Sequence, residues 1–328
     1  MKRVFVLILP VLLSFVLVLP FSLKAQVGAS DISIETTPTS PGAFQSVSMK
    51  LVSFSLDLDR AYITWKLDAK VASAGKGMKE FSFKTGDIGS KSTVNITIDA
   101  GLGQRFEKNV VFEPSDVDLL WEAVEAHVPP FYKGKALPPM EGAVRVTALP
   151  VVKGGISSLG GGNFIYKWKR NDSVDQKHSG FKKNSFYFTS NYLNKTELVS
   201  AEVSGTDSNF LSSRQVDIRT ASPKVVFYEK SPLGNVLYSN ALNSGFKMSG
   251  EEVTLVAEPF FMSPEDSLSP SISYKWNMND TPIENQFRKN EVTLRSGGQK
   301  SGTVKIDVVA QNVTKLFQKA VANMTIAL

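Results

Sequence analysis

Phe164-Ile165-Tyr166-Lys167-Trp168-Lys169-Arg170-Asn171-Asp172 returns further along the chain as Ile272-Ser273-Tyr274-Lys275-Trp276-Asn277-Met278-Asn279-Asp280. A weaker copy precedes both, Tyr62-Ile63-Thr64-Trp65-Lys66-Leu67-Asp68. The three tryptophans stand 103 and then 108 residues apart, which is the length of one β-sandwich module. Each copy alternates along an extended run and ends at a turn, so Trp65, Trp168 and Trp276 read as core residues, with Tyr166 and Tyr274 beside them. Asn171-Asp172 and Asn279-Asp280 read as hairpin turns. One module is therefore used three times.

Outward from this strand, the chain is a series of short alternating runs separated by Gly, Pro, Asn, Asp and Ser. Val47-Ser48-Met49-Lys50-Leu51, Lys79-Glu80-Phe81-Ser82-Phe83 and Thr93-Val94-Asn95-Ile96-Thr97-Ile98 are examples. Period two with β-branched and aromatic residues predicts strands throughout. Leu119–Ala126 has helical composition but is expected to be extended or mixed, because Asn235–Ser239 stands at the matching place in the third copy. Ala100-Gly101-Leu102-Gly103-Gln104 is the candidate boundary between the first two modules, with Asn109–Phe112 and Lys224–Tyr228 as the opening strands of the second and third. The predicted limits are 1–25 for a leader, then 30–106, 107–221 and 222–328 for the modules. Connections differ between copies: 153–163 is rich in glycine and 262–271 in serine and proline, as exposed loops tolerate. The connection at 128–139 carries apolar residues that should tuck against its own module.

Lys2 and Arg3 precede an uncharged run from Val4 to Leu23, which has the layout of an export signal with cleavage after Ala25. Twenty uncharged residues are also long enough for an uncleaved membrane anchor, and the sequence leaves both open. Either way the rest of the chain is expected outside the cytoplasm, with membrane contact only through residues 4–23. No cysteine is present, so each module must be held by its own apolar core, for which the 42% hydrophobic content suffices.

Half of the net charge of +6 lies in residues 1–25, and each following module is only +1. Residues 1–25 carry three positive charges and no negative ones, 26–109 ten and nine, 110–221 thirteen and twelve, and 222–328 eleven and ten. No segment concentrates the basic surface that nucleic acid demands.

Chemistry is sparse. His127 and His178 are the only histidines and read as solvated loop residues. Asp57 with Asp59, and Asp116 with Asp118, place carboxylates at i, i+2, but intervening Leu58 and Val117 make these the wet faces of amphipathic strands. Glycines 154–162 lack the Gly-Lys-Ser/Thr of a phosphate loop. In Phe186-Tyr187-Phe188, alternation sends the phenylalanines inward and Tyr187 outward. Tyr187 and Tyr132 are the candidate ligand-facing residues. No catalytic, metal or cofactor site is expected.

The Tyr-x-Trp strand followed by Asn-Asp resembles the corresponding strand and turn of bacterial immunoglobulin-like modules, including the polycystic-kidney-disease type. The first module departs from the pattern, having Asp68-Ala69 at the turn. The resemblance implies an all-β chain of three tandem immunoglobulin-like β-sandwich domains behind an N-terminal hydrophobic signal or anchor helix. It implies a structural or adhesive role towards an unknown protein or glycan at a bacterial surface. A glycan-binding accessory protein of a carbohydrate-active system is the second reading, and an enzyme a distant third.

Overall fold

A computed structural model describes residues 31–152, 155–156, 163–206, 210–284, 289–298 and 301–328. The expected leader helix and most of the 153–163 loop lie outside the described residues. All regular structure described is β.

The strands fall into three pairs of sheets. In module one, β1 (Ile32–Thr37), β2 (Ser46–Ser53) and β5 (Glu80–Lys84) form one sheet, in the order β1-β2-β5. The other runs β4-β3-β6-β7, from β3 (Tyr62–Leu67), β4 (Lys70–Lys76), β6 (Ser92–Gly101) and β7 (Gln104–Phe112). In module two, β8 (Asp116–Ala123), β10 (Gly155–Ile156) and β13 (Ser185–Thr189) all pair with β9 (Ala143–Val152). They face the sheet β12-β11-β14-β15, built from β11 (Phe164–Arg170), β12 (Ser173–Phe181), β14 (Thr196–Gly205) and β15 (Leu211–Arg219). In module three, β16 (Lys224–Lys230), β17 (Val236–Leu242), β19 (Glu252–Phe260) and β22 (Glu291–Arg295) are ordered β17-β16-β19-β22. Opposite lie β18 (Phe246–Lys247), β20 (Ile272–Met278), β21 (Thr281–Ile283), β23 (Thr303–Asn312) and β24 (Lys319–Ala327), ordered β18-β24-β23-β20-β21. Apart from β18 beside β24, the strand pairs are antiparallel. This is the two-sheet arrangement of tandem immunoglobulin-like sandwiches.

Alternation explains why these segments pair as they do. β6 buries Val94, Ile96 and Ile98 while Asn95 and Thr97 face away, and β14 does the same with Val199, Ala201 and Val203. Each pair of sheets closes on its own apolar cluster, containing Trp65, Trp168 and Trp276 respectively. These tryptophans are 0%, 0% and 2% exposed. Trp65 stacks on Phe81 at 5.3 Å and Trp168 on Phe186 at 5.6 Å. In module three the ring beside Trp276 is Phe227, from the opening strand, at 6.0 Å.

Two devices recur in all three copies. The indole Nε1 donates to a backbone carbonyl in the connection after the hairpin: Trp65 to Met78 at 2.8 Å, Trp168 to Lys183 at 2.9 Å and Trp276 to Lys289 at 2.9 Å. The first turn residue clasps the strand beyond. Its side-chain oxygen accepts from Thr93, Leu198 and Lys305 for Asp68, Asn171 and Asn279 respectively, and its own N–H donates to the carbonyl of that same residue. Both turn residues have positive φ in every copy, including Asp68 (48°) and Ala69 (67°), so the first module has the same mirror-image turn despite its different sequence.

The structure corrects several expectations. Asn109–Phe112 is the end of β7, registered against Ser92–Asn95 of β6, and belongs to module one. Ala100–Gln104, read as a boundary, is the tip of that hairpin. Glycine there serves a reversal: Gly101, Leu102 and Gly103 have φ of 79°, 54° and 76°. Module two opens with β8, which includes Leu119–Ala123, so the extended reading of that segment holds through Ala123. Its counterpart is β16, whereas Asn235–Ser239 covers the first half of β17, a hairpin partner of β16. Asp57 and Asp59 lie in a turn, paired with Arg60 at 3.3 Å and Lys79 at 2.9 Å. Asp116 and Asp118 do lie on a strand, flanking buried Val117.

Candidate functional site

The sequence directs attention to the loops that differ between copies, and two of them meet. The connection after β8 reaches the loop after β19 where module two abuts module three. Val128 precedes Pro129-Pro130, which favours extended backbone and keeps the segment from folding back. His127 lies alongside the next module: its N–H donates to Met262 O at 2.8 Å, and Phe261 N–H donates to His127 O at 2.8 Å.

The side chain follows the backbone inward. His127 is buried, contrary to the solvated loop residue expected. Its Nε2 stands 2.5 Å from Glu258 Oε1, and its Nδ1 donates to the Glu265 carbonyl. Glu258 is also buried, on β19, and its Oε2 accepts from Tyr238 Oη at 3.4 Å. Burial by itself pushes the imidazole pKa down. The hydrogen bonds to Glu258 and Glu265, with the charges of Glu258 and Asp266, outweigh it and raise His127 above its usual value. Burial and the adjacent Glu258 push Tyr238 up to about 12, so it remains a neutral donor.

Around this pair the junction is closed by polar contacts. Gln318 Nε2 donates to Met140 O at 2.8 Å, and its Oε1 accepts from Ser263 N at 2.8 Å. Lys315 reaches Glu125 at 2.9 Å. Tyr192 and Phe317 stack nearly parallel, 6° apart at 4.7 Å. Tyr132, a candidate ligand-facing residue, is partly exposed, but its ring packs edge-on against Phe260 at 5.7 Å and Phe261 at 6.0 Å. The 128–139 connection thus tucks against its own module, where Lys135 lies over Trp121 and Pro139 O accepts from Ser190 Oγ, and through Tyr132 also against the following one. The start of the 262–271 loop is likewise buried, with Met262 and Ser263 inside the junction.

The other candidates lie apart. Tyr187 projects from β13 opposite Arg145, half-exposed, with Phe186 buried behind it. Arg145 also pairs with Glu122, so this face is a small polar cluster around one tyrosine. His178 is not a solvated loop residue: it lies on β12, partly buried, its Nδ1 2.9 Å from Asp175 and its ring edge-on to Phe186 at 5.2 Å. Glu197, fully buried, was not singled out from the sequence. Arg170 grips it at 2.6 and 3.1 Å, Asn171 Nδ2 donates to it at 2.7 Å and Asn191 N–H at 2.9 Å. Arg170-Asn171 inside the repeated stretch was the available signal; the carboxylate 26 residues on was not visible.

The first junction is looser. Ser115 Oγ donates to Leu211 O at 2.8 Å, beside a cleft of about 150 Å³ lined by Ile88, Gly89, Val151 and Phe210. Where Thr39 and Ser40 approach module two, Lys169, Glu202 and Arg214 line an open groove of about 490 Å³. Among the described residues no three acidic or histidine side chains converge as a metal ligand set.

Neither a family profile nor a curated protein matches the sequence. Solved structures of tandem modules do align. The three N-terminal domains of the bacteriophage RB49 Highly Immunogenic Outer Capsid protein are 12% identical, covering 90% of this chain and 97% of that one, with a TM-score of 0.27. The central fibronectin-III array of RIM-binding protein is 10% identical over 90% and 95%, with a TM-score of 0.30. SGBP-B of the Bacteroides ovatus mixed-linkage glucan utilization locus, in complex with a mixed-linkage heptasaccharide, is 11% identical over 90% and 70%, with a TM-score of 0.21. Scores of this size carry no ligand, partner or activity over to the present chain.

Proposed function

We propose that the chain is a non-catalytic exported protein that acts structurally or by binding at a bacterial cell envelope, its modules serving as a spacer that carries surface loops. The observation that supports this is the use made of its buried ionisable groups. The His127–Glu258 pair joins two modules, and Glu197 joins Arg170, Asn171 and Asn191 within one. Groups of the kind that carry acid-base chemistry elsewhere here hold strands and modules in place. The unknown partner is a surface protein or glycan, and neither nucleic acid nor a cofactor enters the proposal.

Protease treatment of intact host cells, with the N-terminal mass of the recovered chain, tests the location. Digestion from outside, together with a chain beginning at Met1 or Gln26, is expected. A chain protected until the cells are broken open would overturn the proposal.

The glycan-binding alternative rests on Tyr187, the half-exposed aromatic beside Arg145. A glycan array separates it from the first reading. Binding that disappears on Tyr187→Ala supports it, and binding unchanged by that substitution removes the tyrosine from the site.

A further inference from the structure

The three modules meet end to end, and the end of each that receives its predecessor is built from the same two loops. In module three these begin at Phe261-Met262 and hold Phe317, covered by His127 and Tyr192 of module two. In module two the receiving side includes Val151, Phe210 and Leu211, against Ser115 at the end of module one. The equivalent loops of module one carry Phe54, just after β2, and Leu102, at the β6–β7 tip. They share one end of the sandwich, since Tyr62, which follows the first loop, pairs with Asp99 at the base of the second. Nothing among the described residues covers them, and both are fully exposed. Leu102 moreover holds a φ of 54°, unfavourable for a residue with a side chain, so an apolar group is displayed at a cost in backbone strain.

What stands closest is indicated by the chain itself. Ile32 opens β1 at this same end, opposite Ser53. Nine residues before it lies Leu23, the close of the uncharged run Val4–Leu23, so the end of that run is tethered within roughly 30 Å of Ile32. Nearby charges are already engaged: Asp57 with Arg60, Asp59 with Lys79, and Asp99 with the Gly101 N–H. Two protruding apolar points, with the neighbouring carboxylates held in ion pairs or local hydrogen bonds, suit entry into a deformable interface better than docking into a fixed concave surface.

We propose that this end of module one docks on a lipid bilayer, with Phe54 and Leu102 entering the boundary between headgroups and acyl chains. The proposal rests on the reading of residues 4–23 as an anchor retained in the envelope.

The test uses the full chain in vesicles of phosphatidylethanolamine and phosphatidylglycerol containing dibrominated phosphatidylcholine. Single variants Phe54→Trp and Leu102→Trp are compared with Leu233→Trp, an exposed site on module three. Of the four native tryptophans, Trp65, Trp168 and Trp276 are buried and Trp121 is half-buried beneath Lys135 on module two, so the native chain in the same vesicles supplies the background to subtract. The introduced tryptophans at 54 and 102 are expected to shift to the blue and be quenched, while the one at 233 is not. A full chain that floats with the vesicles yet leaves both tips unquenched overturns the docking alone, assigns the tips to a protein partner, and leaves the anchoring intact. A full chain that does not float overturns both.

Discussion

Nε2 of His127 lies 2.5 Å from Oε1 of Glu258 across the boundary between modules two and three. The other ring nitrogen faces the Glu265 carbonyl, which can only accept, so Nδ1 carries a proton. The second proton is then stabilised by the carboxylate, which is why the pKa rises despite burial. Because the folded value exceeds the ordinary 6.5, the contribution is fully present below about pH 6.5 and is lost as pH rises through the folded value. Calorimetric melts between pH 5 and pH 9 should therefore show modules two and three separating more readily at the alkaline end. His127→Ala should remove that dependence and, by leaving Glu258 buried and unpaired, cost about 3–5 kcal/mol.

Glu197 gives the opposite sign. Burial alone would raise its pKa, but Arg170, the Asn191 amide and Asn171 hold it below its ordinary value of 4.5. Its contribution is present above about pH 4.5 and is lost as pH falls through the lowered folded value. Urea titrations of Arg170→Ala at neutral pH should show a loss of about 3–5 kcal/mol, since one partner of a buried pair is removed, and a smaller loss near pH 3.

Trp168→Ala should cost roughly 3–5 kcal/mol and unfold mainly module two. Trp168→Phe retains most of the apolar volume but loses the donor to Lys183 O, and should cost less. Separate melting transitions, followed by hydrogen exchange, would distinguish the two. A normal profile for the alanine variant would show that the core does not depend on the indole.

Ala69 occupies the left-handed region at φ 67° with a side chain that disfavours it. Ala69→Gly should stabilise module one by up to about 1 kcal/mol, the relief of strain exceeding the added freedom of the unfolded chain. Chemical denaturation measures this directly, and a destabilised variant would mean that the turn relaxes elsewhere.

The repeated Tyr-x-Trp strand was legible because period two and a turn pair are local properties. The same holds for the Asn-Asp hairpins and for Tyr187 pointing away from Phe186. Local text misled where two structures share one composition: Ala100–Gln104 has the glycines of a linker and of a hairpin tip, and only pairing with β6 decides between them. The His127–Glu258 contact was hidden because its partners are 131 residues apart and in different modules. Neighbouring prolines made the segment look like a free loop, although they leave it extended enough to lie along the next domain. The indole hydrogen bonds were equally invisible, since their acceptors are backbone carbonyls with no signature in side-chain type.

The two backbone bonds between His127 and the Phe261-Met262 segment have a mechanical meaning. A pull along the chain passes from module two to module three through the covalent connection near residue 221, while this rung ties the same modules at a second point. A tether closed at two points resists bending as well as stretching. Modules two and three are thus coupled as a stiff unit, and angular freedom along the chain concentrates at the sparser joint around Ser115.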